Sequence, residues 1–548
     1  MNAKDWLGKD NQLGIDIWNK KYRYNNESFD GWLDRVSGKN EEVKNLIRQK
    51  KFLFGGRILA NRGLENKGRK VSLSNCYVIA PPEDNLESIF DCAKKLARTF
   101  SYGGGCGIDI SHLAPRGAEV RNAAKTTTGS VSFMDLYSMI TGLIGQNNRR
   151  GALMLSLSCE HPDLEEFIGI KSDLNRVTKA NISIRITDKF MVAVRNKQSF
   201  TLSFTRVETG ETITKEVNAY DLFRKMCEMN WDYAEPGMLF WDRIENYNLL
   251  SEDKNFKYAG VNPCAEEPLP AGGSCLLGSI NLSEFVTNNK QFDFDDFKYT
   301  VKIAVEALNN VLDEGLLLHP LEEQMESVRD WRQIGLGIFG LSDMLIKMGI
   351  IYGEEESTYI CDMIGHVMAD TAIKTSALLA SKYGTYPKYN KDAVLQSPFF
   401  TKNALGETVA LVHKYGLLNS QLLTIAPTGT LSTMLGVSGG IEPIFANYYT
   451  RKTESLKGHD EYYKVYTPIV KNYMNENDLT DDVDLPEFFI TSQNIHYKNR
   501  IDMQSIWQKH IDASISSTVN LPNSATVEDV ENLYMYAWEK GLKGITIF

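Results

Sequence analysis

The stretch Asn262-Pro263-Cys264-Ala265-Glu266, followed by Pro268, Pro270, Gly272, Gly273 and Cys275, constrains this chain more than any other. Proline removes an amide donor and fixes φ, and glycine weakens any regular element, so residues 262–275 read as an ordered loop in mid-chain. Loops of this kind, held by a rigid surround, commonly carry reactive side chains. In an extended backbone Asn262, Cys264 and Glu266 would all point to one side. An amide, a thiol and a carboxylate on one face offer an orienting group, a reactive sulfur and a candidate general base. A plainer reading stands beside this one. An intracellular cysteine is most often a small buried hydrophobe, and Asn-x-Cys-x-Glu alone is a weak signal.

The 548 residues leave room for several average domains, or for one large domain with appendages. A 43% hydrophobic, 24% charged composition excludes wholesale disorder. The net charge of −10 gives no global attraction to nucleic acid or an anionic membrane, so any phosphate must be held by local features. No apolar run approaches the ~20 residues that span a bilayer, and MNAKDWLGKDNQLG lacks a signal pattern, so a cytoplasmic location is expected. The eight cysteines, Cys76, Cys92, Cys106, Cys159, Cys227, Cys264, Cys275 and Cys361, form no Cys-x-x-Cys pair and no zinc-like spacing with histidine. No metal site and no structural disulfide network are expected, which leaves redox chemistry by a few thiols.

Along the chain, residues 1–60 show helical spacing and suggest a small helical N-terminal layer, with the main domain over 61–548. VSLSNCYVIAPP alternates and places Cys76 on a strand, and EDNLESIFDCAKKLARTF is a helix with an acidic first turn. In SYGGGCGIDIS four glycines leave the backbone bare, either for a ligand or for a tight turn into a strand. APRGAEVRNAAKTTTGS reads as a long loop, and VSFMDLYSMITGLIGQ as a helix whose apolar side suits a partner helix or a core. The strands ALMLSLS, NISIRIT and FTLSFT alternate with helices, which argues for a largely parallel sheet or barrel. Later, the strand LLTIA runs into Pro427-Thr428-Gly429-Thr430, a place to hold an anion or simply a capped helix start.

Taken together, SNCYVI, NPCAE, GSCLLGSINL, RQIGLGIFGLSDML, APTGTLS and the terminal GLKGIT resemble, in order and spacing, the catalytic subunit of ribonucleotide reductases. The resemblance runs from about Phe52 to Phe548. It implies a ten-stranded α/β barrel of two five-stranded parallel halves with an inner finger loop. It further implies that Cys264 becomes a thiyl radical and takes hydrogen from the ribose 3′-carbon, because S–H and C–H bonds are close in strength. Glu266 would act as base on the 3′-hydroxyl, Asn262 would orient the ribose hydroxyls, and Cys76 with Cys275 would supply two electrons and close into a disulfide. Substrate contacts would come from Asn75, Gly105, Pro427, Thr428, Gly429, Thr430, Leu431 and Ser432, the last six around the phosphates. A nucleoside triphosphate effector would lie near Asp84, Ser101, Arg116, Lys171, Arg176 and Lys179, on loops 115–128 and 171–181. The helix after residue 130 would form part of a homodimer interface.

GLKGIT and SSTVNLP look most like the adenosylcobalamin-dependent class. The place where oxygen-dependent members carry a tyrosine pair reads Gly544-Ile545-Thr546-Ile547-Phe548. Residues 1–60 are too short to hold the family's ATP-cone, so dATP shut-off through one is not expected. The sequence reaches Phe548 without the family's cysteine pair, as expected of a truncated chain or of one served by another polypeptide. Re-reduction of the disulfide would need an external dithiol, a thioredoxin- or glutaredoxin-like protein, or a separate tail chain. Two competing readings are an oxygen-dependent large subunit served by a radical-generating partner, and a nucleotide-binding regulatory paralogue without catalysis.

Overall fold

A computed structural model gives the fold and describes residues 1–68, 70–144, 151–454 and 460–548. Five strands, β1 (Cys76–Val78), β2 (Gly105–Asp109), β3 (Leu153–Ser158), β4 (Asn181–Ile186) and β5 (Gly237–Phe240), pair side by side in that order, all parallel. Runs such as LMLSLS and NISIRI are mostly buried, as strands covered on both faces must be. A second parallel group begins with β6 (Leu277–Asn281) beside β7 (Gly335–Phe339) and ends with β8 (Thr518–Val519) beside β9 (Gly544–Ile547). Between them, single parallel bridges join Leu336 to Leu423 and Ile425 to Ile515. LLTIA is therefore a looser strand than its sequence suggests. The amides of Leu422 and Leu423 donate to the Asp512 carboxylate at 2.9 and 2.7 Å and are withdrawn from any ladder.

The two groups run antiparallel to each other and meet at both margins. On one side β9 pairs with β5, Gly544 facing Leu239. On the other, residues 273–275, which lead into β6, pair with β1 through an isolated bridge between Tyr77 and Ser274. FTLSFT does not belong to the parallel set. Ser199–Thr205 forms an antiparallel hairpin with Thr212–Asn218, and its strict in-out alternation is the mark of a strand with one wet face.

The N-terminal helices share one hydrophobic core with the second group, from Trp6, Phe29 and Trp32 through to Leu336, Ile338 and Ile425. The strand Phe52–Phe54 pairs antiparallel with β6 and ties this layer in. A separate core surrounds the first group. The helix predicted from VSFMDLYSMITGLIGQ covers Ser130–Ile144, while Gly145 and Gln146 lie outside the described residues. No helix among the described residues is long and apolar enough to cross a membrane.

One buried charge stitches the second group together. The Lys543 ammonium donates to the carbonyls of Tyr247, Asp512 and Ala513 at 2.5, 2.9 and 2.8 Å. Burial lowers the pKa of Lys543 against the opposing charge of Asp512, and burial raises that of Asp512 against the Leu422 and Leu423 amides and, after them, Lys543. Lys543→Met leaves three buried carbonyls without their donor and takes away the cation that helps the buried Asp512 carboxylate. We expect a loss of about 3–5 kcal/mol, read as a lowered thermal unfolding midpoint.

Candidate active site

The central loop is a finger with a short antiparallel base, Gly260–Val261 against Pro268–Leu269. Its tip is not the extended backbone expected from the alternation of residues. Asn262 O accepts from Ala265 N–H at 3.0 Å, and Ala265 takes φ +65°, so the tip is a turn. Asn262 N–H donates to Glu267 O at 3.2 Å, and Glu267 N–H returns a bond to Asn262 Oδ1 at 3.0 Å. Asn262, Cys264 and Glu266 come together because the chain reverses, not because it is stretched.

The finger lies between the two parallel groups. Glu266 O accepts from Ser514 N–H at 2.9 Å and from Thr424 Oγ1 at 2.7 Å, both on second-group segments. On the opposite side it presses on β2. A Cβ on Gly107 would overlap the Val261 carbonyl oxygen, and one on Gly105 would lie 3.3 Å from Pro263 Cγ and 3.4 Å from Cys76 Sγ. The glycine run therefore makes room for the protein's own finger, an option its sequence did not suggest. The same closeness brings Cys76 to the finger. Cys275 N–H donates to Cys76 O at 2.9 Å and Asn75 N–H to Cys275 O at 3.2 Å, so two cysteines 199 residues apart sit on adjacent, paired backbones. Both are free thiols.

Electrostatics sort these groups into roles. Cys264 is solvent-accessible at the tip yet closely walled by protein, and that burial, with Glu266 beside it, pushes its thiol well above the usual range. The thiolate is the nucleophilic form of cysteine, so a sulfur held as S–H is suited to giving up or taking a hydrogen atom rather than to attack. Burial and the adjoining Cys76 raise Cys275 in the same direction. Burial pushes Glu266 up to about 7, with the nearby Asn262 amide acting against it, which places a base near neutrality. Two buried polar atoms at the tip, Asn262 Nδ2 and Glu266 Oε2, have no hydrogen-bond partner among the described residues. Atoms left this way are costly unless a ligand or water meets them.

Comparison with known proteins bears on this arrangement. Residues 74–548 match the family model described as ribonucleotide reductase, barrel domain. The chain belongs to the ribonucleotide reductase family. It is 32% identical to the vitamin B12-dependent ribonucleoside-diphosphate reductase of Thermoplasma acidophilum, over 88% of this chain and 62% of that protein. It is 31% identical to the protein of the same name from Mycobacterium tuberculosis, over 93% of this chain and 71% of that one. The chain thus spans roughly three fifths to seven tenths of these relatives' lengths. The fold is also that of the Actinobacillus ureae class Id ribonucleotide reductase alpha subunit, with TM-score 0.79 and 20% identity, covering 100% of this chain and 98% of that one.

Within this ribonucleotide reductase barrel, Pro427–Ser432 follows Ala426, which packs in the small cluster holding Cys275 and Cys76. Thr428 has φ +51° and caps the helix Gly429–Leu435, and its Oγ1 accepts from Gly440 N–H at 2.9 Å. Gly429 faces open space. Lys21 Nζ stands 3.5 Å from Thr430 Oγ1, and no sequence signal links residues so far apart. Asn75 spends its Oδ1 on Arg57 N–H at 3.2 Å.

The residues expected around an effector divide. Asp84 bonds Ala114 N–H and Arg206, Arg116 pairs with Glu166, and Arg176 with Asp135 at 2.8 Å. Lys171 binds its own loop at Val177 O and Ala180 O, and Lys179 N–H donates to Ser138 Oγ, so loop 171–181 docks on the helix Ser130–Ile144. Ser101 does not join Asp84. They lie at opposite ends of the 16-residue helix Leu86–Ser101, about 24 Å long at 1.5 Å per residue.

Proposed function

We propose that this chain reduces ribonucleotides to 2′-deoxyribonucleotides by radical chemistry begun at Cys264, with adenosylcobalamin as radical source. The observation that carries the reading is an accessible, protonated Cys264 beside two buried, unpartnered atoms, Asn262 Nδ2 and Glu266 Oε2, next to the Cys76–Cys275 backbone pair. An open approach to one sulfur fits a bulky cofactor, and the relatives named above are vitamin B12-dependent reductases. When bound, adenosylcobalamin would supply the unpaired electron that makes Cys264 a thiyl radical.

Cys264 then takes the hydrogen atom from the ribose 3′-carbon. Glu266 takes the 3′-hydroxyl proton and gives it back when the 3′-hydroxyl is restored, and Asn262 Nδ2 donates to a ribose hydroxyl. The 2′-hydroxyl leaves as water with two electrons and two protons drawn from Cys76 and Cys275, which close into a disulfide. Cys264 returns its hydrogen to carbon 3′. The balance is ribonucleotide plus dithiol giving deoxyribonucleotide, water and disulfide. Pro427, Thr428, Gly429, Thr430, Leu431 and Ser432 hold the phosphates, with Gly105 at the cysteine side. A nucleoside triphosphate effector uses Asp84, Arg116, Lys171, Arg176 and Lys179. Ser101 is left out because it stands at the far end of its helix. The exposed Leu86, Phe90, Met139 and Leu143 form an apolar surface for a second copy of the chain, and a thioredoxin-type protein or other dithiol restores the thiols.

The test is anaerobic reduction of ribonucleoside di- and triphosphates with dithiothreitol, with and without adenosylcobalamin. Product only when cobalamin is present is the expected result. Product without it, in the presence of a radical-generating partner, would favour the oxygen-dependent reading. Nucleotide binding with no product under any of these conditions would favour the regulatory one.

A further inference from the structure

Next to Glu266 stands a second carboxyl that the mechanism above does not use. Glu267 is 1% exposed. Its Oε2 accepts from Gln421 Nε2 at 2.6 Å, and Gln421 Oε1 accepts from Tyr258 Oη at 2.6 Å. Its Oε1 has no partner among the described residues and fills the space above Gly335, where a Cβ would overlap it. Meanwhile its backbone makes two of the bonds that hold Asn262, and by occupying Asn262 Oδ1 it leaves the Nδ2 end free for a ligand.

We propose that Glu267 is a positioning residue whose carboxyl locks the finger against β7 and Gln421, and that loss of its proton releases the lock. The proposal rests on reading Asn262 and Glu266 as groups that face the substrate. Ionised, the carboxylate would have one oxygen without a donor and would face like charge. The groups around it are Glu266 on the finger, Asp512 with Lys543 just before β9, Tyr258 before the finger, and the thiols of Cys76 and Cys275. Burial first, then Glu266 and Asp512, push Glu267 well above the usual carboxyl range, which agrees with a neutral acid in the working enzyme. Lys543 is spoken for by three carbonyls and does not reach it. Burial raises the Cys264 and Cys275 thiols as well, so neither adds a charge beside Glu267 near neutrality.

The test is hydrogen–deuterium exchange of amides 262–267 in the full chain, comparing wild type, Glu267→Gln and Glu267→Ala from about pH 7 to about pH 10. Near neutrality Glu267→Gln should protect the finger as wild type does, and Glu267→Ala should exchange about tenfold faster or more. As pH rises, wild type should lose protection beyond the ordinary base-catalysed increase while Glu267→Gln does not. Wild type and Glu267→Gln keeping pace across the whole range would overturn the proposal, and that comparison stands even if Glu267→Ala does not fold. In the reduction assay, the falling alkaline limb of kcat should vanish in Glu267→Gln, with KM following neither pH nor variant. A wild type that produces no deoxynucleotide would sink the proposed function and leave the exchange experiment intact.

Discussion

Cys264→Ser should yield no deoxyribonucleotide, with kcat lower by more than about 10⁴-fold, a barrier increase above about 5.5 kcal/mol. The O–H bond of serine is much stronger than the C–H bond to be broken, so an oxygen cannot be made into the radical that the sulfur becomes. The substitution removes one polarisable atom at an accessible finger tip and touches none of the bonds that shape the turn, which run through the backbones of Asn262, Ala265 and Glu267. Nucleotide binding should therefore persist, measured by equilibrium dialysis beside single-turnover product analysis. Retention of a tenth of wild-type product would end the proposed role of this sulfur.

Glu266→Gln should lower kcat by about 10²–10⁴-fold and at the same time make the protein more stable at alkaline pH. Burial raises the Glu266 carboxyl from 4.5 to about 7, so ionising it in place costs about 3 kcal/mol more than in water. Below pH 4.5 the group is protonated folded or unfolded and contributes nothing. Between 4.5 and 7 the folded chain holds the proton more tightly than the unfolded one, so wild-type stability falls as pH rises. Above 7 the whole cost is present. Glutamine has no charge to bury, and the stability difference should open across that window and then level off. Thermal unfolding of the two proteins at a series of pH values measures it. In the same window wild-type kcat should climb with an apparent pKa about 7, and a flat acid limb would rule out Glu266 as the base.

These expectations depend on how the finger is built, and that was only partly visible in the linear chain. Prolines and glycines around residue 264 announced an irregular loop, because they cannot sit inside a helix or a paired strand. Runs such as LMLSLS and NISIRI announced strands of a largely parallel sheet, and EDNLESIFDCAKKLARTF announced the helix that spans Leu86–Ser101. FTLSFT misled, since a six-residue alternating run looks the same in a hairpin as at a sheet edge, and only its partner strand tells them apart. The resemblance put Ser101 and Asp84 near one effector, while within one chain the helix Leu86–Ser101 holds them at its opposite ends.

What the sequence determined alone is local: where backbone can be regular, where it must turn, and which reactive side chains the turn carries. Tertiary structure alone decided the pairing of Cys76 with Cys275, the reach of Lys21 to Thr430, and the placement of Glu267 over Gly335. Each of those contacts joins residues tens to hundreds of positions apart. Propensity acts over a few neighbouring residues, whereas such contacts arise only when two sheets and a finger are packed into the same few ångströms of space.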